Sequence, residues 1–157
     1  MARWNKGSEV IERLLEDRHL EEVPADAETV DRLIATALRH ITSATTSAES
    51  DPEGALALAY DAARKTATAL LGHQGLRPTS AGGHIAVVEA MNAQFPGVEG
   101  LKSIDRLRRR RNQAEYPDPR DYDPVTNDEV DDAIAAASAC VNAAEKLLDV
   151  PQLGLFR

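Results

Sequence analysis

At 157 residues and 17.0 kDa the chain has the length of one domain and can bury a core without a disulfide or a metal staple. The 18 basic and 26 acidic side chains leave a net charge of −8, which excludes a generally basic nucleic-acid coat but not a local basic site on an acidic body. Alanine occurs 26 times and aromatics make up 4%. Alanine is the best helix former, and strands favour β-branched and aromatic residues, so the composition points to an all-α fold.

Residues 8–20 read as a short amphipathic helix with Val10, Ile11, Leu14 and Leu15 on one face, ended by Pro24. Asp26 is the N-cap expected for a second helix reaching about Ala44, with Val30, Leu33, Ile34, Ala37 and Ile41 at helical spacing. Asp51-Pro52 supplies a cap and a first-turn proline for a third, alanine-rich helix that stops near Gly72 and Gly75. A loop with Pro78, Gly82 and Gly83 leads to a fourth helix with Ile85, Val88, Met91 and Phe95 inward. The fifth spans about 101–116, because Pro117 disfavours helical geometry in the residue before it. Thr126 and Glu129 form a capping box for the last helix, whose Val130, Ile134, Ala137, Val141, Ala144 and Leu148 make a bundle-type seam. Cys140 lies near that seam and reads as a small buried hydrophobe.

The expected architecture is an up-and-down bundle of five to six helices: a helical extension over 1–24, the bundle over 25–150, and a short tail over 151–157. A single cysteine excludes an intramolecular disulfide framework and fits a reducing compartment. With no secretory signal pattern and no apolar run long enough to span a bilayer, a cytoplasmic location away from membranes is expected. No Cys/His cluster or phosphate-binding glycine loop is visible. Asp118, Asp121 and Asp123 lack the glycine and the final glutamate of a calcium loop, so neither metal nor cofactor is expected.

One segment breaks the pattern. Residues 106–111 carry five arginines, the only concentrated positive charge. For Arg106, Arg109 and Arg110 the plain reading is a solvated helix face. Arg111 differs: at about 100° per residue the inward stripe through Leu101, Ile104 and Leu107 continues to Arg111 and then Ala114. A guanidinium in that direction needs a partner or a use. The structural possibility is an ion pair with Glu115 or Asp61. The functional one is phosphate, whose oxygens suit a planar fork that stays charged.

The run Arg111-Asn112-Gln113-Ala114-Glu115-Tyr116 resembles the signature of the HEPN superfamily: an arginine, usually a polar residue, then a histidine four to six positions on. Residues 60–75 resemble that family's alanine-rich helix ending in glycine, and His84 resembles its histidine at the next helix start. The likeness spans about 26–149. It implies an all-α, generally dimeric protein, often a metal-independent ribonuclease of toxin–antitoxin or phage-defence systems. Carried over, Arg111 takes the arginine role and Asn112 the polar role, while Tyr116 stands where the histidine is usual. RNA and a nucleotidyltransferase-type antitoxin are the implied partners.

Cleavage by 2′-OH attack needs a base and an acid, and histidine serves both near neutrality. Tyrosine, with an ordinary pKa of about 10, donates well but is a poor base at pH 7. Arg111, Asn112, Tyr116 and His84 are therefore the candidate catalytic residues, with Arg108 and Arg110 as phosphate contacts. The alternative is a catalytically degenerate binding or assembly module, with Arg111 kept for structure or a nucleotide. His19, His40 and His73 read as surface or helix-end residues.

Overall fold

A computed structural model describes residues 2–157, in which six α-helices are joined mostly by short connections. They are α1 (Ser8–Glu16), α2 (Ala27–Ser47), α3 (Pro52–His73), α4 (Gly83–Gln94), α5 (Ile104–Glu115) and α6 (Asn127–Leu148). The caps fall where local chemistry puts them. The Asp26 carboxylate accepts from the amides of Glu28 and Thr29, Asp51 from Gly54, and Thr126 from Glu129.

Helix α3 is the hub, packing on α2, α5 and α6. It is buried on more than one side, through Leu56, Tyr60, Leu70 and Leu71 and a series of alanines from Ala55 to Ala69. Small side chains let neighbouring helices approach closely, which explains the alanine excess better than propensity alone. In the seam of α6, Val130, Ala137, Val141 and Ala144 are buried as expected, while Ile134 and Leu148 are only partly buried and Ala133, Cys140 and Leu147 complete the buried face. The all-α bundle inferred from periodicity is the fold.

Three local features differ from expectation. The first helix stops at Glu16, and Arg18 turns the chain with a positive φ of 60°. Leu20–Glu22 then forms a strand, β1, antiparallel to β2 (Leu76–Pro78), with Leu20 opposite Pro78 and Glu22 opposite Leu76. Ile85, expected inward, is 56% exposed, while Ala86, Val87 and Val88 carry the buried face of α4. That helix is apolar on most sides, so its sequence leaves the phase undetermined. The residues after Pro151, unplaced by sequence, are docked: Leu153 is buried, and the Phe156 amide donates to the Gln74 carbonyl at 2.9 Å. Gln74 and Gln94, both buried, exchange side-chain amide hydrogen bonds at 2.6 and 3.0 Å, so neither is left unpaired.

Candidate functional site

Three helices bring Tyr60, His84 and Arg111 together. Tyr60 lies on α3 with its ring buried, 1% exposed. The His84 ring, at the start of α4, sits 5.5 Å from it, tilted by 53°. From α5, the Arg111 guanidinium carbon lies over the Tyr60 ring, 5.6 Å from its centre. Arg111 thus occupies the inward position the helical spacing assigns it, 29% exposed, with Nη1 3.0 Å from Glu115 and 3.1 Å from the Asn112 side-chain oxygen. Of the two carboxylates considered as partners, Glu115 is the one used. Asp61 is engaged elsewhere, by Arg64 at 2.5 Å, by Lys65, and by His40 at 3.3 Å.

The charges that act on His84 are mostly positive. Burial lowers the His84 pKa below its ordinary 6.5, and the nearby charges of Arg64, Arg111 and Arg108 lower it further against the opposing pull of Asp61. The imidazole is therefore neutral at pH 7 and able to accept a proton. Burial pushes the Tyr60 phenol up to about 12, outweighing the three arginines that favour its anion. Burial also works to raise the Asp61 carboxyl, but hydrogen bonds from Lys65 and Arg64 together hold it below its usual range. His40 is lowered by burial and by Lys65, despite the Asp61 contact.

The remaining arginines separate by role. Arg108, part-buried, reaches Asp105 at 2.9 Å, and Arg109 reaches the same carboxylate at 2.7 Å from an exposed position. Arg106 is exposed. Arg110 departs from the solvated reading: it is part-buried, 2.6 Å from Glu129 and 3.0 Å from the Asp123 carbonyl, tying α5 to the start of α6. Tyr116, just past α5, is 74% exposed and lines a cavity of about 180 Å³ with Glu53, Arg110 and Gln113, next to the groove that holds Arg111. The structure therefore gathers Arg111, Asn112, Arg108 and His84, and sets Tyr116 and Arg110 apart. It also adds Tyr60 and Arg64, which the sequence presents only as members of an ordinary helix. His73 contacts the Leu153 carbonyl at 2.8 Å, a structural role. Among the described residues no group of three His, Cys, Asp or Glu side chains could hold a metal ion, and no helix is long and apolar enough to cross a membrane.

The position of His84 depends on a tether to the N-terminal segment. Thr79 donates its amide to the His19 carbonyl at 3.0 Å and its hydroxyl to the Arg18 carbonyl at 2.6 Å, then accepts from the Gly82 amide at 3.1 Å. Gly82 is pressed against that segment so closely that a Cβ there would lie 2.2 Å from the His19 carbonyl oxygen. Gly82→Ala must push α4 off this seat. It is expected to lower stability by about 1–3 kcal/mol, read as a fall in Tm, and to disturb any activity that uses His84. Gly97→Ala, where a Cβ meets nothing within 4 Å, is the control expected to lose far less.

The family profile of the HEPN domain matches residues 30–147. The chain belongs to the HEPN family. Comparison with curated proteins and with solved structures gives no match.

Proposed function

We propose that this HEPN protein is a metal-independent endoribonuclease of the toxin or defence type, acting as a homodimer on RNA, with a nucleotidyltransferase-type antitoxin as its cognate partner. The observation that carries the reading is the convergence of Arg111 and a neutral His84 on opposite helices around one buried tyrosine. Arg111 binds the scissile phosphate and Asn112 orients it. His84 takes the proton of the attacking 2′-OH, the P–O5′ bond breaks as the 2′-oxygen bonds phosphorus, and Tyr116, brought into the cleft by a second protomer, delivers a proton to the leaving 5′-oxygen. The products are a 2′,3′-cyclic phosphate and a 5′-hydroxyl. Tyr116, being well exposed, suits a cleft completed by a second protomer.

The second reading, a binding or assembly module without nuclease activity, is favoured by the acidic rim. Asp51, Glu53 and Glu115 line the same groove of about 310 Å³ as Arg111, and Glu115 already neutralises it. Incubation of the purified protein with RNA in EDTA separates the two. Cleavage with cyclic phosphate ends, by a species of about twice 17.0 kDa in light scattering, supports the nuclease. An inert monomer, unimproved by Tyr116→His, supports the module.

A further inference from the structure

The Tyr60 hydroxyl is a buried donor with no hydrogen-bond partner among the described residues. Such a group is costly to bury unpaired, and a phenylalanine would pack the same space without that cost. Its surroundings say what kind of acceptor is missing. Arg64 follows Tyr60 by one turn of α3, Arg111 covers its ring, and Arg108 lies close enough for its charge to act on the phenol. The carboxylate beside it on α3, Asp61, is already held by Arg64, Lys65 and His40. The phenol keeps its proton at any physiological pH, so it has an O–H to donate. Three guanidinium groups, each paired with a single protein carboxylate, therefore lie around a buried O–H that has no acceptor of its own among the described residues. Arg108 and Arg111 are held by carboxylates of their own helix, Asp105 and Glu115. Such pairs are weak at part-exposed positions and exchange readily for a stronger anion.

We infer that the Tyr60 hydroxyl is a phosphate-binding group, donating to a non-bridging oxygen of one phosphodiester of a bound RNA while Arg64, Arg108 and Arg111 neutralise its charge. The phosphodiester is favoured over a carboxylate because several forked donors can engage its oxygens from different helices at once. The choice of RNA rests on the function proposed above, but the binding does not require that cleavage occur. Binding would turn the arginines from their helix-mates toward the ligand and give the hydroxyl its missing acceptor.

The decisive variant is Tyr60→Phe in the full chain, measured three ways: Tm without ligand, the rise in Tm with inorganic phosphate, and affinity for a 2′-O-methyl RNA oligonucleotide that cannot be cleaved. The ligand-free Tm is expected to be unchanged or raised, because no hydrogen bond is lost. The phosphate-induced rise should shrink, and RNA affinity should fall roughly tenfold, as for loss of one hydrogen bond to a charged acceptor. A lower ligand-free Tm would mean that the hydroxyl is satisfied within the fold, and overturns the inference. Equal affinity of wild type and variant for the RNA overturns it as well. A wild type that binds the oligonucleotide but cleaves no natural RNA removes the nuclease reading and leaves this one standing. A wild type that cleaves, with Tyr60→Phe binding unchanged, removes this one alone.

Discussion

Arg111→Ala is expected to eliminate RNA cleavage while leaving the protein folded. The stability side follows from the contacts. Arg111 is part-exposed, its ion pair is with Glu115 one turn along its own helix, and its other hydrogen bond is to the adjacent Asn112. A helix pair of that kind contributes about 0.3–0.5 kcal/mol, and the stacking on Tyr60 adds about 0.5–1 kcal/mol. For a chain of this size the combined loss corresponds to a fall in Tm of only a few degrees. The activity side is larger. Removing one preorganised donor that meets developing negative charge typically lowers the rate by about 10²–10³-fold, and a charged, bidentate donor belongs at or above the upper end. Arg111→Lys should recover little, because a point charge cannot reproduce the fork. Both variants are read by cleavage rate and by Tm on the same preparation. Collapse of the fold in Arg111→Ala would instead identify a structural charge and return the protein to the binding-module reading.

How much of this was legible in the sequence varies by element. Caps at Asp26, Asp51 and Thr126 and the long apolar stripes placed α2, α3 and α6 well, because each signal is local and repeats over several turns. Arg111 stood out for the same reason: it interrupts a stripe whose phase Leu101, Ile104 and Leu107 had set. Strands β1 and β2 are three residues each, too short for any period to be seen, and their pairing joins segments more than fifty positions apart. The link from Arg110 to Glu129 is likewise a tertiary contact, invisible to a count along one helix. Tyr60 was hidden differently. It sits at the expected inward position, and nothing in the spacing distinguishes a satisfied tyrosine from one with a stranded hydroxyl. Asp61 had been a candidate partner for Arg111, but Arg64 and Lys65, three and four residues further along the same helix, claim it first.

The second large effect concerns His84 and carries its own pH signature. If His84 takes the 2′-OH proton, His84→Ala should remove most cleavage, of the order of 10²–10⁴-fold, while its part-exposed position on the first turn of α4 keeps the stability change small. In the wild type, kcat/KM should rise with pH and level off below the ordinary histidine value of 6.5. Burial lowers the pKa, the Arg64, Arg111 and Arg108 charges add to it, and Asp61 only partly opposes them. Folding is linked with the same sign. The folded protein holds this imidazole neutral where the unfolded chain would protonate it, so stability is complete above 6.5 and declines as pH falls through the interval between the unfolded and folded values. Asp61→Asn removes the negative charge that opposes this shift and should move the acid limb of the rate profile lower still. Arg64→Gln removes a positive charge and should move it higher. These opposite displacements, followed by initial rates from pH 5 to 8, tie the titrating group to this cluster. An acid limb that neither substitution moves, or that survives in His84→Ala, would place the base elsewhere.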